Sequence, residues 1–179
     1  MLTQSAIKNE LLRVLRIVEK RGQEEIRAQG HVASGRGMNS VEGVVLPNDG
    51  TKIVGGIFAE DYMVGPVDNG VPASRVPYSP GSGAAFSQYI QSLMDWIQRW
   101  IKPSYTDEEA KSFAFAIANT AIEEGHPTRG SYSFSENGHR TSWVKRGLED
   151  NERFIEEELE LFAIIEAAMA SDLGKAAGR

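Results

Sequence analysis

The chain has 179 residues, 41% hydrophobic and 25% charged, which is the balance of a soluble globular protein and excludes disorder over the whole chain. Its formal net charge of -6 argues against non-specific duplex binding, which depends on Lys and Arg displacing counterions. The absence of cysteine excludes disulfides, thiolate nucleophiles and Cys-based zinc sites together; charged residues within the first ten positions break any leader-like layout, and no apolar run approaches the roughly 20 residues of a bilayer span.

From Ser5 to Gln29 the apolar residues Ile7, Leu11, Leu15, Val18 and Ile26 recur at helical spacing, and Gly30 is placed as a stop. The cations of this segment (Lys8, Arg13, Arg16, Lys20, Arg21 and Arg27) are interleaved with Glu10, Glu19, Glu24 and Glu25, so they read as a solvated helix face. A Gly-, Ser- and Asn-rich loop is expected from His31 to Asn39. Val41 to Leu46 and Thr51 to Phe58 read as strands joined through Pro47-Asn48-Asp49-Gly50, whose residues tolerate the positive φ of tight hairpins. A third short strand is expected at Tyr62 to Val64.

Gly65 to Gly83 reads as a long loop carrying Pro66, Pro72, Pro77 and Pro80. Its apolar residues Val67, Val71, Val76 and Tyr78 exceed what a linker needs, which suggests a contact loop. Ala85 to Ile101 is expected to be a helix apolar over more than half its circumference, deeply buried or facing a partner, and ended by Pro103. Thr106 to Glu109 has the pattern of a capping box, and the helix that it opens closes at Gly125 and Pro127. After a polar stretch dotted with aromatics, a last helix is expected from near Ser142 to about Met169, with Glu156, Glu157, Glu158 and Glu160 on its outer side. These elements amount to a single α+β domain over residues 1–179: a small antiparallel sheet packed with an N-terminal helix, two central helices and a long C-terminal helix, with a frayed tail over 172–179.

Chemistry is sparse. His31, His126 and His139, with Glu123 and Glu124, lack the one-face spacing of a zincin, and surface or turn positions are the simpler reading. No Gly-x-Ser-x-Gly elbow occurs. Gly81-Ser82-Gly83 lacks the preceding strand and the Lys-Ser/Thr pair of a phosphate loop. No catalytic residue, metal or cofactor is expected. Trp96 and Trp100, four apart on a helix, suit core or interface better than a ligand platform.

Several phrases, in order, resemble the head–tail connector and tail-completion proteins of tailed bacteriophages. Ser34-Gly35-Arg36-Gly37-Met38-Asn39-Ser40-Val41 is similar to the Thr-Gly-Arg-Leu-x-x-Ser-Ile-like phrase opening the family's first strand, with Gly37 replacing a large apolar residue. Tyr62, Val67 and Gly70 lead into a proline-containing loop, Trp96-Ile97 matches a Trp-Ile pair, and Phe113 to Ala118 followed by Glu124-Gly125-His126-Pro127 matches an alanine-rich helix and its closing turn. The likeness spans roughly residues 5–165. It implies a structural virion protein made in the bacterial cytoplasm, forming a homo-oligomeric ring that joins portal or adaptor to tail, without a membrane. DNA would pass through its channel without specific binding. Candidate interface residues are Val71, Val76 and Tyr78 in the loop and Trp96 and Trp100 on the apolar helix, where the Trp pair serves equally as core. The alternatives are a soluble intracellular adaptor for a protein or peptide, and a small hydrolase or metal enzyme using His126 and His139.

Overall fold

The computed structural model describes residues 4–32, 34–47, 53–82, 87–151, 153–163 and 167. Helix α1 (Gln4–Ala28) buries Val14, Leu15, Val18, Gly22 and Ile26 along one stripe and ends at Gly30, whose φ of 72° supplies the left-handed stop. After it the expected loop tightens into a short helix, α2 (Arg36–Asn39). Gly37 is explained here: a Cβ on it would collide with the Met63 sulfur and the Tyr62 hydroxyl.

Strands β1 (Glu42–Val45) and β2 (Gly55–Phe58) pair antiparallel, with Glu42 opposite Phe58 and Val45 opposite Gly55, and both lie on α1. Gly43 lets this happen, since a Cβ there would stand 2.9 Å from the Leu15 Cβ. Most of the expected hairpin connection lies outside the described residues. The third strand does not form. Met63–Val67 is a wide helical turn instead, with the Met63 carbonyl accepting a 2.7 Å hydrogen bond from the Trp143 indole and the Val64 carbonyl accepting from the Asn69 amide at 3.1 Å. Alternation in three residues fits a helix edge as well as a strand, and the distant indole selects the helix.

Helix α3 (Gln88–Trp96), capped by Ser87, runs on through a wider turn at Ile97–Ile101 and stops at the extended Lys102. Helix α4 (Asp107–Glu124) opens with the expected capping box and turns at Gly125, φ 82°. The expected last helix is broken. Trp143–Gly147 (α5) is followed by a short turn at Glu149–Asn151, then by α6 over 153–163; the rest of the expected helix lies outside the described residues. The break has a cause in packing. Trp143 is drawn into the core, and Gly147 crosses α1 so closely that a Cβ on it would be 2.9 Å from the Gly22 Cα.

Two cores result. One joins Ile26, Val41, Met63 and Trp143 between α1, the sheet and α5. The other joins Ile90, Met94 and Ile97 of the α3 segment to Ala110, Ala114 and Ala118 of α4. The stretch 128–142 bridges them, with the Glu136 amide donating to the Ala28 carbonyl at 2.7 Å and the Ser142 amide donating to the Asp68 carbonyl at 2.7 Å.

Candidate docking groove

The alanines of α4 fall at i, i+4 and i+8, a stripe of small side chains into which the α3 residues press. Using alanine for this face turns the large residues of α4 elsewhere. Phe113 is 47% exposed, while Phe115 leans on the Tyr78 ring at 6.0 Å. Opposite, the turn Arg129–Phe134 brings the Phe134 ring edge-on to Trp96 at 5.7 Å and 81°. Between these walls lies a groove of about 440 Å³, floored by Leu93, Trp96, Ile117 and Phe134 and bordered at one end by His126, Thr128 and Arg140.

The polar end is built by the Glu124-Gly125-His126-Pro127 turn, which contains a cis His126–Pro127 bond. His126 and Val71 exchange two backbone hydrogen bonds of 2.7 Å, so the turn and the proline-rich segment are fixed to each other. Gly70 and Gly125, both at positive φ, allow the approach: a Cβ on either would sit 2.5 Å from a carbonyl oxygen across the bridge. The His126 Nε2 and Tyr89 hydroxyl share a 2.6 Å hydrogen bond. Burial, with the Arg140 charge adding to it, lowers the His126 pKa, and burial pushes Tyr89 up to about 12, so a neutral ring meets a protonated phenol.

Arg140 is the unusual member. Its Nη1 donates to the Gln29 carbonyl at 2.6 Å, its Nε is buried without an acceptor, and among the described residues it forms no ion pair with a carboxylate. Burial lowers its pKa, yet a guanidinium stays charged at neutral pH. His31, behind it, bonds the Arg140 carbonyl at 2.9 Å and is pushed down to about 4, by burial first and then by the Arg140 charge. The groove therefore offers an apolar channel with one uncompensated, half-buried cation at its end. Such a surface takes an apolar group carrying a negative charge.

Of the residues singled out in the sequence, Trp96 lines the groove, while Trp100, on the next turn, is 50% exposed and does not line it. The loop residues are otherwise placed. Val76 is only 8% exposed, Tyr78 packs on the α3–α4 core, and Val71 pairs with His126. At these three positions the proline-rich loop packs within its own chain, and Val76 in particular is core. Gly83 at the end of the loop, and Ala85 and Phe86 at the start of the expected helix, fall outside the described residues. Sequence reasoning missed Phe113, Phe134 and Arg140. The alanine spacing of α4 carried a signal for Phe113, which must lie off the packed stripe; for Arg140 there was none.

His31 and His126 are half-buried and hydrogen-bonded rather than free on the surface, and His139 stands apart from both contacts. Among the described residues no group of three His, Cys, Asp or Glu side chains is placed to hold a metal ion, and no helix is long and apolar enough to cross a membrane. No family model matches this chain, and no curated protein and no solved structure matches it either.

Proposed function

We propose that the protein is a structural subunit of the head–tail interface of a tailed bacteriophage, forming a ring that joins portal or adaptor to tail as a neck, tail-completion or tail-terminator component. The observation that carries this reading is the open aromatic groove. Phe113 and Phe134 are each about half exposed along the apolar lining of the groove, a grouping that suits a surface for a protein partner. The ordered phrases that resemble connector proteins add to it. One of them, Glu124 to Pro127, builds the polar end of that groove.

The mechanism is docking by shape and charge, with no covalent step. The net charge of -6 suits a subunit beside a channel through which DNA must slide without adhering. The test is quantitative mass spectrometry of gradient-purified tailed particles from the source. A small fixed copy number per particle is the expected result. Absence from intact particles overturns the reading and transfers the groove to a cellular partner, as in an intracellular adaptor.

A further inference from the structure

Two surfaces of this chain are complementary and do not meet within one copy. The first is the groove, with its apolar floor and the guanidinium of Arg140, which has no carboxylate partner among the described residues. The second is the outer side of α6. That helix is held to α1 by an ion pair from Glu158 to Arg13 and by Arg21 over the Phe154 ring at 4.2 Å. On α6, Glu157 pairs with Arg153 and Glu158 with Arg13, whereas Glu156 and Glu160 make no ion pair among the described residues. Beside Glu160, Leu161 is 52% exposed, the most exposed large apolar side chain among the described residues. One copy thus displays an unpaired carboxylate next to a projecting leucine. It also displays an unpaired cation next to an apolar recess.

We infer that α6 of one copy docks into the groove of the next, with Leu161 entering the apolar floor and Glu160 reaching Arg140. This deepens the ring reading and rests on it. Because the two patches differ, the contact is heterologous, and repetition of a heterologous contact closes a ring when the rotation permits. The chemistry also explains why Arg140 is left unpaired inside the subunit: its counter-ion arrives with the neighbour. The attraction is strengthened because both charges leave bulk water when the leucine seals the groove.

The absence of cysteine makes the contact directly testable. In the full-length chain, a Phe113→Cys/Leu161→Cys double variant should give intermolecular disulfides as a ladder of multimers under mild oxidation. Glu160→Arg and Leu161→Asp, both on the surface of α6, should keep the wild-type circular dichroism and melting while weakening self-association at least about 30-fold in sedimentation equilibrium. Arg140→Glu should weaken self-association as well, whatever it costs in stability at Gln29, and combining it with Glu160→Arg should restore association. The restoration separates a contact from mere damage around Gln29. Multimers that persist unchanged in Glu160→Arg and Leu161→Asp, with no cross-link, overturn this contact and leave the ring reading standing. A chain that stays monomeric at every concentration also overturns it, and a Trp fluorescence response to decanoate would then assign the groove to small amphiphiles. Failure of the ring reading itself is registered elsewhere, by absence of the chain from purified particles.

Discussion

The half of the molecule built on α1 and the half built on the α3–α4 hairpin bury apolar residues by opposite means. Around α1 the core is made of large side chains that interlock: Trp143 is fully buried, its indole N–H is satisfied by the Met63 carbonyl, and Ile26, Val41 and Met63 close around it. In the hairpin the buried face of α4 is alanine, so the helices sit close while Phe113 and Trp100 remain about half exposed. A closed core of this first kind stabilises the fold and offers little to a partner. The second kind gives up part of its own burial and leaves aromatic surface exposed. The same residue type can therefore carry opposite meanings: Trp143 holds the fold, and Trp100 faces outward.

That contrast yields the largest expected effect. Trp143→Ala should destabilise the chain by about 3–5 kcal/mol through the cavity it leaves, and further through the stranded Met63 carbonyl. Trp100→Ala, on a side chain 50% exposed, should change stability by no more than about 0.5 kcal/mol. Urea unfolding of the two variants reads the difference. Equal losses would mean that the hairpin is as closed as the α1 half, and the contrast would fail.

The junction between the halves should show itself as a pH dependence. Arg140 lies there, bonded to Gln29 at the end of α1 and bordering the groove, and it faces both His31 and His126. Both histidines have folded pKa values below the ordinary 6.5, that of His31 at about 4. The unfolded chain therefore binds more protons than the fold between these values. The stability that depends on neutral rings is complete above pH 6.5, declines as pH falls toward 4, and levels off for His31 below that. Discounted for the water that still reaches the ring, the His31 contribution is about 1–2 kcal/mol. Urea midpoints measured from pH 7 to pH 4 should fall accordingly in the wild type and less in His31→Gln. A flat wild-type profile would mean that the junction is open to solvent.

What the sequence could and could not announce follows the same line between local and distant causes. Helix α1 and its Gly30 stop, the two paired strands, and the capping box at Thr106 were legible because their signals sit within a few residues of the structure they dictate. The strand expected at Tyr62 to Val64 became a helical turn under a hydrogen bond from Trp143, 80 positions away. The final helix broke where Gly147 meets Gly22, an encounter that no local pattern records. Trp96, which lines the groove, and the exposed Trp100 announced themselves by their spacing. Val76 gave the same apolar signal from a proline-rich loop and is core. Arg140 was illegible because what distinguishes it, half-burial without a carboxylate partner among the described residues, arises in three dimensions.

The smallest expected effect is the one that bears most directly on whether the two halves are separate. The Thr106 hydroxyl accepts from the Glu109 amide at 3.3 Å, and the Glu109 carboxylate accepts from the Thr106 amide at 2.8 Å, so each satisfies an N–H that α4 leaves open at its start. Thr106→Ala should remove about 1 kcal/mol. Where that loss appears is informative, because the hairpin rests on alanines with little interlocking to spread a local weakness. Hydrogen exchange should quicken in α3 and α4 while the amides of α1 keep their wild-type protection, as separate opening of the hairpin requires. If protection falls by the same amount in α1, the two cores unfold as one cooperative unit. The groove would then be a shallow feature of a single closed body, and the exposed aromatics would need an explanation other than a half left open for a neighbour.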